Sequence, residues 1–269
     1  IKINGSVNEI FINKDRLIVF GYEYQNYLRP LDAMEKIGIG IMPPLYYSPE
    51  SFVKIYDISD RENPVLTRNV SISGNYFDAR MIDDYVYLIV NQQIYSRNVV
   101  MPYITENGVK TEIKATDVNY IDYPDYSYTF TDILSIDTQN DKKKIEKEVF
   151  LTSYAQNMYV SNDNIYLTYD KRLKESYYFD KLVSDVYLPA VPSDIKTEIN
   201  KLKNSDKNDY EKIQEILGVM DTYFKNISPE EQSTILKEIE DRTNKLQEEI
   251  WKETQKTVIH RISINKGQI

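Results

Sequence analysis

The sequence predicts a mainly β protein built from a repeated unit of four short antiparallel strands, and three observations support this. Three apolar hairpins align with one another, each with two strand-like runs around a polar turn. Three further strand-like runs share one pattern, and in the first two cases another turn and strand follow. The runs are rich in β-branched and aromatic residues, as strands are. The hairpins span Glu9–Tyr22, Ala79–Asn91 and Asn157–Asp170, the third strands begin at Phe52, Phe130 and Val258, and the fourth cover Val65–Ser73 and Ile145–Thr152.

We name the four strands a, b, c and d in chain order, and the unit recurs at a spacing of about 70–80 residues. The a–b, c–d and d–a links are short, whereas the b–c link is long in every copy. The three b–c links are Gln25–Glu50, Gln92–Ser127 and Lys171–Thr257. Four antiparallel strands repeated in this way predict β-propeller blades. A β-sandwich is the alternative, but it does not need one four-strand register three times.

The strand count predicts about three blades and a partial propeller. Ile1–Asn4 occupies the position of a d strand before the first a strand, and the last copy stops after its c strand. The expected series is therefore d, abcd, abcd, abc, or twelve strands. Because propellers typically close with four to eight blades, the chain is expected to be a piece of a larger ring. The alternative is that two copies pair edge to edge, with Ile1–Asn4 completing the last blade of the other copy.

The third b–c link changes to a helical pattern. Ser193 and Asp194 can begin a short helix that runs to about Lys203, and apolar residues then follow helical spacing from Tyr210 to Phe224. Ser228, Pro229 and Glu231 form an N-cap signature with a capping box before a stripe that continues to Trp251. We therefore expect an α-helical hairpin inserted in the third blade. The predicted domains are blades over 1–181, the helical insertion over 182–256, and the rest of the third blade over 257–269.

Composition excludes several function classes. The net charge is −9 and the pI about 4.9, which argues against nucleic acid as a partner. Cysteine is absent and His260 is the single histidine, so thiolate and histidine-rich metal sites cannot form. The sequence has neither a phosphate-binding glycine loop nor an apolar run long enough to span a membrane. We expect no cofactor, no metal and no membrane span in this chain.

The acid-rich stretch "DISDRENP" could be a metal loop or a turn. It lacks the glycine and distal glutamate of an EF-hand, and the aligned stretch of the next blade has lysines at Lys142–Lys144. Asp, Ser, Asn and Pro build turns, so a c–d turn is predicted. The aligned c-strand residues Lys54, Asp132 and His260 predict an exposed strand position, which disfavours a catalytic role for His260.

Blade topology places all three b–c insertions and the d–a links at one end of the strands. The first polar residues of the a strands, Asn8, Asp78 and Gln156, together with Arg80, can surround the mouth of the central channel. The insertions themselves are rich in tyrosine beside acids, which suits recognition of a protein or a glycan. The insertion tyrosines that we select are Tyr46, Tyr47, Tyr123 and Tyr126. In the alternative, they only pack the loops against the helices.

Three strings, "FVKIYDISDRENPVLTR", "GNYFDARMIDDYVYLIVN" and the helical "VPSDI…ISPEEQSTILKEIEDRTNKLQEEI", together resemble secreted archaeal and bacterial proteins with a C-terminal β-propeller domain. That domain is distantly similar to WD-repeat propellers, although the WD and GH motifs are absent here. The resemblance implies an extracytoplasmic location, a signal or anchor upstream of Ile1, and further blades outside this chain. It implies no activity and no catalytic residues.

The function expected from these observations is a non-catalytic, extracytoplasmic binding or scaffold module that holds a protein or glycan on the insertion face. The alternative is a hydrolase with paired carboxylates near the channel mouth, because two acids can act without histidine or cysteine. A third possibility is an assembly subunit that associates with itself through open blade edges.

Overall fold

The structure, a computed structural model, describes residues 1–27, 46–94, 99–120 and 128–269, and gives the backbone alone for 25–27 and 46–48. The described residues contain fourteen strands, whose bounds are as follows. They are β1 (Ser6–Asn13), β2 (Arg16–Tyr27), β3 (Tyr46–Asp57), β4 (Val65–Ser73), β5 (Asn75–Ile82), β6 (Tyr85–Gln93), β7 (Tyr103–Glu106), β8 (Val109–Glu112), β9 (Val118–Tyr120), β10 (Thr129–Asp137), β11 (Glu146–Thr152), β12 (Asn157–Val160), β13 (Asn164–Asp170) and β14 (Thr257–Ser263).

The strands form three sheets, and the predicted a, b, c and d strands are neighbours in each. The first sheet has the order β1-β2-β3-β4-β7-β8, the second β5-β6-β10-β11-β9 and the third β12-β13-β14. The a–b, b–c and c–d pairs of the first two sheets are antiparallel. The strand pairing expected from the aligned hairpins is therefore observed.

A repeated hydrogen bond shows that the three sheets are copies of one unit. After each c strand, a backbone N–H donates to the carbonyl of the aspartate in the a–b turn of the same sheet, with an N–O distance of 2.8 Å. In each sheet, this bond fixes the end of the c strand against the a–b turn. The pairs are Ile58 to Asp15, Thr138 to Asp84, and Ile264 to Asp163.

Both faces of the second sheet are buried, each against a different sheet. Along β10 the side chains alternate, so Phe130 and Leu134 belong to a core shared with the first sheet and Ile133 to a core shared with the third. The first core also contains Phe20 and Val53 of the first sheet. Consecutive sheets therefore pack face to face.

The second insertion extends two sheets, which the sequence did not indicate. Strands β7 and β8 continue the first sheet beyond β4, and β9 runs parallel to β11 at the edge of the second. The N–H of Tyr103 donates to Ser73 Oγ over 3.0 Å and fixes the start of β7. Added strands of this kind cover edges that would otherwise be open to other chains. Sequence pattern cannot find them, because β8 reads "VKTE" and has no apolar face.

Two expectations about strand bounds were wrong. β2 continues to Tyr27 and β3 begins at Tyr46, so both enter the segment that we assigned to the first b–c link. Ile1–Asn4, expected as a d strand, is not a strand. A strand exists through its ladder of hydrogen bonds, and no described residue pairs with Ile1–Asn4.

Contacts divide the chain into two compact units, one of residues 1–122, 128–169 and 259–269, the other of residues 123–127 and 170–258. The second unit is helical. It contains α1 (Glu175–Lys181), a π-helical turn (Leu182–Tyr187), α2 (Leu188–Ala190), α3 (Ser193–Lys203), α4 (Asp209–Phe224) and α5 (Pro229–Thr254). None of the helices in the described part of the chain is long and apolar enough to cross a membrane.

Each of the two long helices, α4 and α5, has an N-cap side chain that accepts a backbone hydrogen bond. Ser228 Oγ accepts a hydrogen bond from the Glu231 N–H over 3.2 Å, as the N-cap prediction requires. Asn208 forms a full capping box with Glu211, which the sequence analysis missed. Ser193 is the first residue of α3 and does not cap it.

The helices share one core but pair differently from the expected two-helix hairpin. α4 packs mainly on α3, whereas α5 packs on the π-helical turn and α2. Val183, Ile199, Ile216 and Ile235 meet in the core between them. The segment from Glu175 to Ala190 supplies packing surface that our reading of the sequence did not assign to helices.

Gly74 forms the d–a link between β4 and β5, and we expect Gly74→Ala to destabilise the first unit by about 1–3 kcal/mol. Its φ is +117°, and an added Cβ would lie 2.7 Å from Val90 Cγ1 and 3.0 Å from the Asn91 carbonyl oxygen. The measurement is urea unfolding followed by the near-ultraviolet circular dichroism of tyrosine.

The matched control is Gly218→Ala on the exposed side of α4, where an added Cβ meets nothing within 4 Å. That change should stabilise the helix by about 0.5–1 kcal/mol. Equal effects of the two substitutions would contradict the strain assigned to Gly74.

Candidate functional site

The predicted channel-mouth residues lie where the a strands begin, and each of the first two a strands has a β-bulge there. β1 has its bulge between Val7 and Glu9, and β5 has its bulge between Tyr76 and Asp78. Each of these two acids lies six residues before the aspartate of its a–b turn, so Glu9 and not Asn8 occupies the position equivalent to Asp78. Asn8 is the exposed bulge residue itself. Counting back from the turn already indicates this equivalence in the sequence.

Two pairs of polar side chains occupy this end of the first and second sheets. Tyr76 Oη donates to Glu9 Oε2 over 2.9 Å and so links the sheets. Burial, followed by the hydrogen bond to Glu9, raises the pKa of Tyr76, which keeps the phenol a neutral donor. Asp78 Oδ1 accepts from Arg80 Nη1 over 2.7 Å and from the Ala79 N–H over 2.8 Å. Both carboxylates are therefore occupied by partners of the protein itself.

No contact among the described residues places the other candidate residues beside these two pairs. Gln156 is exposed, precedes β12, and donates its N–H to the Thr168 carbonyl over 2.8 Å. Tyr46 and Tyr47 lie in β3, and the structure describes only their backbone. Tyr123 and Tyr126 lie outside the described residues.

Asp132 is a buried carboxyl that the sequence analysis placed wrongly. We expected an exposed position, but its exposed fraction is 0%. It lies on the face of β10 that packs against the first sheet, and its carboxyl oxygens have no hydrogen-bond partner among the described residues. Burial raises its pKa to about 8, and the positive charge of Lys147 opposes the shift. The structure also corrects the alignment of the two c strands by two residues. Lys54 pairs with Val19 and Leu134 pairs with the equivalent Leu88, so Lys54 is equivalent to Leu134 and not to Asp132.

A second buried carboxylate holds the second insertion in place. Glu50 accepts hydrogen bonds from Tyr103 Oη and from Ser71 Oγ, the latter over 3.1 Å. Lys110 Nζ lies 3.3 Å from the centre of the Tyr103 ring. Glu50 and Tyr103 are both buried, so this cluster joins β7 to the first sheet and is closed to a substrate.

His260 is half-buried against Tyr169, and not fully exposed as expected. Its Nε2 lies 3.0 Å from Tyr169 Oη, and the two rings are 5.4 Å apart. Burial lowers the pKa of His260 and raises that of Tyr169 to about 12. Both groups are therefore neutral near pH 7, and the pair packs the third sheet.

The acid-rich stretch is the c–d turn that was predicted. Asp57 and Asp60 accept hydrogen bonds from the N–H groups of Ser59 and Glu62 over 2.9 and 3.0 Å. Hydrogen bonds to Ser59 lower the pKa of Asp57, and the Asn63 side chain lowers that of Asp60. No group of three or more acidic or histidine side chains within the described residues could hold a metal ion.

Exposed tyrosine and valine side chains gather at the insertion end of the sheets. We define the insertion-end surface by Tyr24 near the end of β2, Val100 before β7, Tyr120 at the end of β9 and Tyr154 after β11, all exposed. Tyr24 packs edge to face on Tyr22 with ring centres 5.6 Å apart, and Tyr120 lies 6.4 Å from Tyr128. Amphipathic side chains exposed together are typical of recognition surfaces.

At the opposite end of the sheets, with the a–b and c–d turns, charged side chains pair between the first and second sheets. Lys14 Nζ lies 2.8 Å from Asp84 Oδ1, and Arg16 Nη2 lies 3.2 Å from Asp141 Oδ2. Both ion pairs join the first sheet to the second. These pairs join the two sheets at the turn end, as the hydrogen bond from Tyr76 to Glu9 does at the insertion end.

Consecutive antiparallel sheets of one strand order, stacked face to face, are the architecture of a β-propeller. The beta propeller domain family matches residues 1–269, so the chain belongs to that family. An uncharacterised protein of Methanocaldococcus jannaschii is 24% identical over 219 residues, which are 80% of this chain and 34% of the relative. The chain thus spans about a third of the length of the curated relative that it matches. No solved structure matches the chain.

We predict that Asp132 makes the first unit less stable as the pH rises from about 4 to about 8. The folded state keeps the proton up to a pKa of about 8, whereas the unfolded chain releases it near pH 4. Since the unfolded state binds fewer protons over this range, stability falls by at most about 1.4 kcal/mol per pH unit. Urea unfolding of the wild type and of Asp132→Asn at a series of pH values measures the slope.

Asp132→Asn should remove most of that slope and be the more stable protein at pH 7. The control is Asp60→Asn in the exposed turn, whose lowered pKa confines its effect to acidic pH. Parallel pH profiles for the wild type and Asp132→Asn would contradict the assignment.

Proposed function

We propose that this protein is a non-catalytic, extracytoplasmic binding or scaffold module that holds a protein or glycan on its insertion-end surface. The observation that carries the proposal is the presence of exposed Tyr24, Tyr120 and Tyr154 at the end of the sheets where the insertions emerge. Function in rigid β scaffolds concentrates in loops at one end. Membership of the propeller family agrees with this arrangement, and the family match indicates no particular activity.

We further propose that the sheets are about three blades of a larger propeller, with the helices of 182–256 inserted in the third blade between 1–181 and 257–269. The order a-b-c-d in the first two sheets and a-b-c in the third supports this division. The greater length of the relative agrees with additional blades elsewhere in proteins of this kind.

The hydrolase alternative requires two carboxylates free to act on one substrate. Glu9 and Asp78 are the equivalent acids at the channel mouth, but Tyr76 occupies the first and Arg80 the second. Asp132 and Glu50 are buried. The geometry therefore favours binding, and Glu9→Gln with Asp78→Asn tests the alternative: a hydrolytic activity on glycoside or ester substrates that both changes abolish would overturn the proposal.

The extracytoplasmic location rests on the resemblance described above. Its test is protease treatment of intact source cells that express the full-length protein. Digestion of this region in intact cells is the expected result, and protection until lysis would contradict it.

We predict that replacing Tyr24, Tyr120 and Tyr154 together by serine weakens binding at least tenfold, because each exposed aromatic contributes about 1 kcal/mol or more at a recognition surface. The probes are a glycan array and a peptide array, screened with the labelled wild-type chain. Hits are then measured by titration calorimetry with the triple variant.

The matched control is a turn-end variant, Lys142→Ser with Lys144→Ser, which changes exposed residues at the other end of the second sheet. It should bind like the wild type. A wild type that binds no probe on either array, or a triple variant that binds equally well, would refute the insertion-end surface.

A further inference from the structure

A series of hydrogen bonds connects the third sheet to the second through one phenol. His260 of β14 has its Nε2 3.0 Å from Oη of Tyr169 on β13. Burial raises the pKa of Tyr169, and a hydrogen bond with the backbone of Ser153 opposes that shift. A bond with this effect stabilises the phenolate, so the Ser153 N–H is the donor. Ser153 lies in the d–a link that follows β11, and the Tyr169 phenol therefore joins this link to β14.

The series continues into the interior of the second sheet. Thr152 Oγ1 donates to the Ser153 carbonyl over 2.9 Å and lies 3.2 Å from Thr131 Oγ1. Thr131 Oγ1 donates in turn to Asn91 Oδ1 over 3.0 Å. All four of these residues are buried, and so is Tyr169. Because buried donors and acceptors must match, a change of donor at one end of the series is costly.

The hydrogen bonds define where the protons lie at neutral pH. Tyr169 Oη accepts from the Ser153 N–H, so the phenol has its own proton to donate to His260 Nε2. A neutral imidazole accepts this proton when its own proton is on Nδ1. A protonated imidazole donates from both nitrogens, and the phenol must then turn its proton away from Nε2. Since Tyr169 is only 1% exposed, protonation of His260 either breaks the contact or leaves a buried donor unpaired.

The charged groups around this interface do not offset that cost. Burial is what lowers the pKa of His260. Asp78 and Arg80 face the third sheet from β5, but they pair with each other over 2.7 Å. Lys171, which follows β13, pairs with Glu253 over 2.6 Å. The other titratable side chains on this face of the second sheet are Tyr85, Tyr87, Asp137, Glu146 and Glu148.

We propose that His260, Tyr169 and Ser153 form an acid-sensitive latch between the second and third sheets. With neutral His260 the Tyr169 phenol bridges the sheets, and protonation of His260 breaks the bridge and loosens the third sheet. The sign follows from burial, because the folded chain binds this proton less tightly than the unfolded chain, which takes it up near pH 6.5. The contact is therefore fully effective above about pH 6.5 and weakens as the pH falls below it.

The two faces of the second sheet respond to pH in opposite directions. Asp132 on the other face weakens the fold as the pH rises, whereas His260 weakens it as the pH falls. The latch also holds Ser153, the residue directly before Tyr154, so its release changes the insertion-end surface. The latch itself rests on contacts between the sheets and not on binding at that surface.

The first test uses the fact that His260 is the single histidine of the chain. Its imidazole gives one set of ring resonances, so an NMR titration from about pH 8 to about pH 4 measures its protonation directly. We expect a midpoint below 6.5 in the wild type. Tyr169→Phe keeps the ring but removes the proton that stabilises the neutral imidazole. Its histidine midpoint should therefore be higher than that of the wild type.

The second test measures the release by hydrogen exchange in peptides that cover residues 150–156. After correction for the intrinsic rate, exchange of the Ser153 N–H should rise as the pH falls from about 6.5 to about 5, by at most about tenfold per pH unit. In His260→Gln the side-chain oxygen can accept from Tyr169 at every pH, so the rate should stay constant. In Tyr169→Phe exchange should be fast throughout.

The matched control is the Thr138 N–H at the turn end of the second sheet, which donates to the Asp84 carbonyl over 2.8 Å and should not exchange faster in acid. A His260→Gln variant that keeps the wild-type pH dependence would overturn the proposal. So would Tyr169→Phe with wild-type protection of Ser153 or with an unchanged histidine midpoint. These measurements use no ligand, so the latch and the tyrosine surface can fail separately.

Discussion

The architecture depends on the fact that the repeated sheet has two apolar faces. In β10, residues that point in opposite directions, such as Ile133 and Leu134, are both fully buried. A sheet of this kind cannot face water on either side, so it requires a neighbour on each face. The second sheet has both neighbours within the described chain, and its strands are accordingly the most apolar. The first and third sheets have one each, and their outer faces expose Ile10 and Ile259.

Polar groups between the sheets determine how the stacked faces align. Arg68 of β4 is almost completely buried, and its Nε and Nη2 donate to Glu106 Oε1 and to the Lys143 carbonyl over 2.8 and 2.7 Å. It thereby connects the first sheet, the second insertion and the c–d turn of the second sheet. Buried ion pairs of this kind add little net stability, but a wrong alignment would leave a guanidinium without partners and cost several kcal/mol, on the order of 3–5. Asp132 lies in the same interface without such partners and so acts against stability.

The repeated strands could be predicted from the sequence because their signal is local. Alternating apolar residues around Asp15, Asp84 and Asp163 specify hairpins that do not depend on distant contacts. The N-cap of α5 was predicted from an equally local sequence signal. The features that the sequence could not reveal depend on packing partners. β9 forms because β11 offers it an edge, and Asp132 is buried because the first sheet covers it.

The candidate site shows the same difference between features with a local sequence signal and features that depend on packing partners. At the channel mouth of the first sheet we selected Asn8, but Asn8 is the bulge residue and its neighbour Glu9 is equivalent to Asp78. A shift by one in a strand exchanges the two faces of the sheet, so the error changes which side chain meets Tyr76. In the structure, Glu9 does so and links the first sheet to the second. Glu9 thus joins two neighbouring sheets, whereas Asp78 is held within its own strand by Arg80. The exposed tyrosines proposed to meet a partner lie at the insertion end of the sheets. A stack of sheets with the acids of its channel mouth paired, and with exposed tyrosines at the end where the insertions emerge, is suited to hold another molecule rather than to transform it.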